Sequence, residues 1–129
     1  MIADAGGNRR LAPSFDHASS LGFLLNDPQR VQMLTSRDRN QTPEAWADRA
    51  RTRFEGHPHP IEVARSADAL VQHGIVAPWT ARIEPLDLER LVAQVPADRM
   101  SSPAREFALR VAEANRRHIL SYPPRTMAT

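Results

Sequence analysis

Few side chains in this sequence are of a type and spacing that could do chemistry. His57 and His59 stand two apart in His57-Pro58-His59-Pro60. A helical zinc pair needs histidines about four apart, and a strand pair needs a third ligand nearby. Each residue before a proline is driven out of the α region, so the segment reads as a rigid connector with exposed, non-ligating rings. Arg49, Arg51 and Arg53, and later Arg116-Arg117-His118, form two basic clusters. Asp48, Glu55 and Glu113 lie close to them, so both are expected to be solvated faces with local ion pairs. The carboxylates show no paired spacing of the kind a glycoside hydrolase uses. Helices over 87–95 and 103–120 would resemble a helix-turn-helix, with Arg105 and Arg110 aimed at a major groove. The connection Pro96–Ser102 is longer than the ~3–4-residue turn that motif takes.

One acid is placed differently. In Arg9-Arg10-Leu11-Ala12-Pro13-Ser14-Phe15-Asp16-His17-Ala18-Ser19-Ser20-Leu21-Gly22, a short strand would deliver an apolar residue and then a single carboxylate into a loop of small residues. Such a loop can present Asp16 to a cation without burying it against hydrocarbon. The same spacing also suits an Asx turn, in which Asp16 accepts from the backbone amides of residues 18 and 19. Spacing by itself favours the turn and leaves the cation site open.

Composition excludes more than the motifs assert. The chain has 129 residues and no cysteine, so disulfides, thiol nucleophiles and Cys-ligated metals are ruled out. It also has no lysine: all 17 basic residues are arginine. A Walker-type phosphate lysine, a Schiff base and a kinase strand lysine are therefore absent. The high isoelectric point, about 10.3, comes from a formal net charge of only +2 on arginines that never titrate, which makes it a weak pointer to nucleic acid. The start of the sequence places Arg9-Arg10 after its apolar residues and lacks a hydrophobic core segment, the wrong order for a secretory signal. No apolar run approaches the ~20 residues that span a bilayer. A cytoplasmic protein without membrane contact is expected.

The elements that must position these residues are mainly helical. Asn26-Asp27-Pro28, Thr42-Pro43-Glu44 and Ser101-Ser102-Pro103 each combine a capping side chain with a proline suited to a first turn. They predict a short helix to about Ser36, a second carrying Trp46, Ala50 and Phe54 as one stripe up to Gly56, and a long last helix to about Leu120. Ile61–His73 reads as a helix with Ile61, Ala64, Ala67, Leu70 and Val71 facing inward, and Gly74 stops it. Pro78 and Pro85 read as breaks. Leu88, Leu91, Val92 and Val95 fit the amphipathic template and predict a helix ended by Pro96. Trp46, Phe54, Trp79 and Phe107 are expected as core anchors, since aromatics make up only 5% of the chain. The predicted fold is mainly α: about five helices over 26–122, preceded by an irregular segment over 1–25 with a short strand at Arg9–Ala12, and followed by a frayed tail over 123–129.

The stretch Leu11–Gly22 resembles the segment that follows the catalytic loop in HipA-like kinases, bacterial Ser/Thr kinases that include phosphatidylinositol-kinase-like proteins. Arg99–Leu120 is similar to the last helix of the same family's helical lobe, so the resemblance spans nearly the whole chain. It implies a kinase-like C-terminal lobe, with Asp16 as the acid that holds Mg²⁺ bridging the phosphates of ATP. Gly22 would then give backbone freedom before the first lobe helix. The family transfers the γ-phosphoryl group of ATP to a Ser or Thr hydroxyl, often on the translation machinery or on itself. The catalytic Asp and Asn and the phosphate-covering loop precede this segment in the family and have no counterpart here. The sequence thus resembles a lobe beginning just after the catalytic loop, and inefficient phosphoryl transfer is expected of it. With the rest of a kinase missing, an apolar patch near Leu11, Phe15 and Leu21 should invite a protein partner or a second copy. The alternative is a small helical protein-interaction module that keeps the fold without the chemistry.

Overall fold

The computed structural model describes residues 2–3, 6, 9–10, 20–70 and 76–121. The chain is mainly helical. Ile2–Ala3 (β1) pairs antiparallel with Arg9–Arg10 (β2), with Ile2 opposite Arg10 and Ala3 opposite Arg9. Six α-helices follow among the described residues: α1 Asp27–Thr35, α2 Pro43–Asp48, α3 Pro60–Leu70, α4 Val76–Ile83, α5 Leu88–Ala93 and α6 Ser102–Leu120. A 3-10 turn, Arg39–Gln41, leads into α2.

The three predicted caps form as the chemistry requires. Asn26 accepts from the Gln29 amide while the Gln29 side chain accepts from the Asn26 amide, a reciprocal box that opens α1. Thr42 accepts from Ala45 N–H at α2, and Ser101 accepts from Ala104 N–H at α6. Each satisfies one of the amides that a helix start leaves without an intrahelical partner. Asp87 does the same for α5 through Arg90 N–H at 2.8 Å.

α6 is the element on which the rest packs. Its inner face carries Phe107, Ala108, Val111 and Ala114, all buried, and Phe107 is wholly sealed from solvent. Ala47 of α2 joins them, and Leu25, Met33, Leu34 and Trp46 close the cluster from α1, α2 and the segment before α1. Trp46 meets Phe107 edge to face, ring centroids 5.6 Å apart. That geometry sets the positive ring edge against the negative π face.

Arginines of α6 then tie the outer elements down. Arg110 grips Glu44 of α2 with both arms of its fork, Nε to Oε1 at 2.8 Å and Nη2 to Oε2 at 2.6 Å. The Arg105 guanidinium donates to the Val92 and Val95 carbonyls at the C-terminal end of α5, where carbonyl oxygens lack helical partners and the dipole favours a cation. Arg116 pairs with Glu113 at 2.7 Å and reaches the Leu86 carbonyl ahead of α5.

Several expectations need correction. Pro78 sits within the first turn of a further helix, α4, rather than breaking the chain, and a first-turn residue needs no amide donor. α2 ends at Asp48, well before Gly56. The 46, 50, 54 spacing loses to the closure of residues 52–58, where the Pro58 carbonyl accepts from both Thr52 N–H at 3.0 Å and Thr52 Oγ1 at 2.9 Å. Phe54 and Trp79 are not core anchors, being 61% and 53% exposed. Ala64 and Ala67 of α3 are exposed as well, while Ile61 and Val63 are half-buried.

Candidate functional site

The first candidate is the segment ending at Gly22. Asp16, together with Leu11 and Phe15, lies outside the described residues. The described end of that segment is firmly held. Gly22 is buried at φ +79°, and a Cβ there would sit 2.6 Å from Phe107 Cε1, so the close approach to the core needs glycine. The Gly22 carbonyl accepts from Leu25 N–H at 3.0 Å and from Arg30 Nη2 at 3.2 Å. Arg30 in turn donates to Asp27 at 2.6 Å, and Asp27 also accepts from the Ser101 hydroxyl at 2.9 Å. These two donors, Ser101 first and Arg30 second, hold the Asp27 carboxyl below its usual range. Just past Gly22, Phe23 and Leu24 are 51% and 83% exposed, and Leu21 is 37% exposed.

The second candidate lies between α2 and α3. An open cavity of about 520 Å³ is lined by Asp48, Arg51, His57, His59, Glu62 and His118 among others. His118 Nε2–H donates to Asp48 Oδ1 at 3.0 Å, while its Nδ1 is buried without a partner. The His59 ring stands edge-on to His118, centroids 5.7 Å apart. Its Nδ1 accepts from Ile61 N–H at 3.2 Å, which places the ring proton on Nε2, facing the Ala47 carbonyl at 3.4 Å. His59 and His118, far apart in sequence, thus bind the end of α2 and the start of α3 to α6. Among the described residues no three His, Asp or Glu side chains could hold a metal ion. They offer Mg²⁺ no ligand set, and no catalytic step is assigned to them.

The arginines redistribute between these sites. Arg105 and Arg110, the residues a helix-turn-helix would send into a groove, are engaged within the chain as described above. Among the described residues Arg49, Arg51 and Arg53 make no ion pair, against the expectation of local ones. Asp48 is taken by His118, and Arg49 and Arg51 donate only to backbone carbonyls, Arg49 to Asn40 and Arg51 to Asp48 and Ala50. The Arg116–Glu113 pair does form. Sequence reading had no access to the His118–Asp48 contact or to the exposure of Phe54, since both follow from where α2 stops.

No helix among the described residues is long and apolar enough to cross a membrane. No family model, curated protein or solved structure matches this chain.

Proposed function

We propose that this chain serves as the C-terminal helical lobe of a HipA-like kinase and does not carry out phosphoryl transfer with its own residues. The observation that supports this reading is the fixing of Gly22 onto Phe107. The Leu11–Gly22 stretch resembles the family's metal-binding segment, and its last residue is held against Phe107 of α6. Asp16 would be carried six residues before that anchor, and Mg²⁺, when held with a nucleotide, would neutralise phosphate charge there. A second reading, a protein-interaction module of the same fold, draws on the exposure of Leu21, Phe23 and Leu24, a run of apolar surface that a partner would cover.

Thermal unfolding followed by circular dichroism separates the two. In the kinase-lobe reading, millimolar Mg²⁺-ATP raises the melting temperature of the wild-type chain and leaves Asp16→Asn unmoved, because a ligand bound to the native state stabilises it by mass action. Equal melts of both proteins, with and without nucleotide, would overturn that reading in favour of the interaction module.

A further inference from the structure

The loop between α2 and α3 holds two features that the kinase-lobe reading does not use. The first is a set of arginines without acidic partners. Arg49, Arg51 and Arg53 alternate with Ala50 and Thr52, and the arginines are exposed or nearly so while Ala50 and Thr52 are half-buried. Arg39 is exposed in the turn before α2, next in sequence to Asn40, whose carbonyl accepts from Arg49 at 2.6 Å. The carboxylates of this region are largely committed elsewhere: Glu44 to Arg110, Asp48 to His118, and Asp38 to the Asn40 amide. Glu62, exposed and lining the adjoining cavity, accepts from His59 N–H at 2.9 Å, and Glu55 is exposed as well. The basic charge here is local, and the near balance of the whole chain conceals it.

The second feature is Phe54, an exposed ring next to those arginines. It is not on a fraying end. Thr52 and Pro58 close the loop through two hydrogen bonds, the Phe54 carbonyl accepts from His57 N–H at 2.9 Å, and the His57 ring reaches the Thr52 carbonyl. Gly56 and His57 take positive φ to make the turn, +76° and +46°. An aromatic held outward by a closed loop costs little to order on binding. The cavity that opens beside it, lined by Arg51, Gly56 and His57, gives adjoining room.

Unpaired arginines that track a phosphate chain, with an aromatic ring on which a base can stack, are how proteins hold single strands. A duplex is a poorer fit, because α2 is only six residues long and Arg105, Arg110 and Arg116 of α6 are engaged within the chain. We propose that the Arg49–Phe54 segment binds single-stranded nucleic acid, with phosphates on Arg49, Arg51 and Arg53 and a base on Phe54.

Fluorescence anisotropy of a labelled twelve-residue oligothymidine, titrated with the full chain at several salt concentrations, tests this. The salt dependence of the wild type should fall by about 0.7 in log–log slope for each phosphate contact removed, so Arg51→Gln with Arg53→Gln flattens it. Phe54→Ala should weaken binding about tenfold at every salt concentration and leave the slope unchanged. All three positions are exposed, and circular dichroism of each variant checks that it folds. Absence of binding at 50 mM salt overturns the proposal. So does equal affinity for a duplex of the same length, or a Phe54→Ala variant that binds like wild type, which would mark a general polyanion surface. Tighter association with phosphatidylserine vesicles than with the oligonucleotide would also overturn it, in favour of a membrane surface.

Discussion

Single residues in this protein act mainly through the groups that Arg110, Arg30 and Gly22 bring together. Glu44 is the clearest case. The two-armed bond from Arg110, opposed by partial burial, lowers its carboxyl from the ordinary 4.5 to about 2. A carboxyl depressed in the native state contributes stability that is fully present above its unfolded value and is lost as pH falls through the folded one. The contribution is therefore intact above about pH 5 and disappears between there and about pH 2. With about a third of each side chain exposed, solvent screening trims the pair to roughly 1–2 kcal/mol. Glu44→Gln should lower the free energy of urea unfolding at pH 7 by that much and make little difference at pH 2. An equal loss at both pH values would mean that the side chain acts by packing. None of this could be read from sequence, where Glu44 looked like a helix-start acid and its partner lies 66 residues away.

At the scale of elements, local chemistry was legible and distant closure was not. Asn26, Thr42 and Ser101 were recognisable as caps because a cap depends on its own side chain and the next three residues. The end of α2 was not recognisable, because the Trp46–Ala50–Phe54 spacing suits a helix equally well and only the Thr52–Pro58 bonds decide against it. The candidate loop and its exposed phenyl ring exist because of that decision. Ser101 joins both levels: its oxygen accepts from Ala104 N–H to start α6 and its hydroxyl proton goes to Asp27 at the start of α1. Ser101→Ala should cost about 1–2 kcal/mol, at the upper end of cap removal, since it also strips Asp27 of a donor. Ser101→Asp should restore the cap and not the donor, and chemical denaturation of the two variants separates the contributions. If both unfold alike, the bond to Asp27 is what matters.

For the whole molecule, one helix face holds the fold together. The fully buried side chains of any size among the described residues are Phe107, Val111 and Pro43. A domain with so small a sealed core has little stability to lose. Phe107→Ala should cost about 3–5 kcal/mol, removing the ring on which Trp46 and Gly22 rest, and is expected to abolish cooperative unfolding. A variant with a sharp melt within a few degrees of wild type would show that the outer arginine bonds, and not the apolar face, hold the helices.

The position of that helix in the chain has a consequence for how the protein is made. A ribosome delivers α1, α2 and α5 before α6, and each of the first two leaves the exit tunnel without the α6 face it packs against. α1 and α2 span nine and six residues, too few to persist as isolated helices in water. Neither helix is therefore expected to persist before the α6 face it packs against has been made. Folding waits for Phe107 to emerge, so Leu25, Met33, Leu34 and Trp46 are open to chaperones and proteases until then.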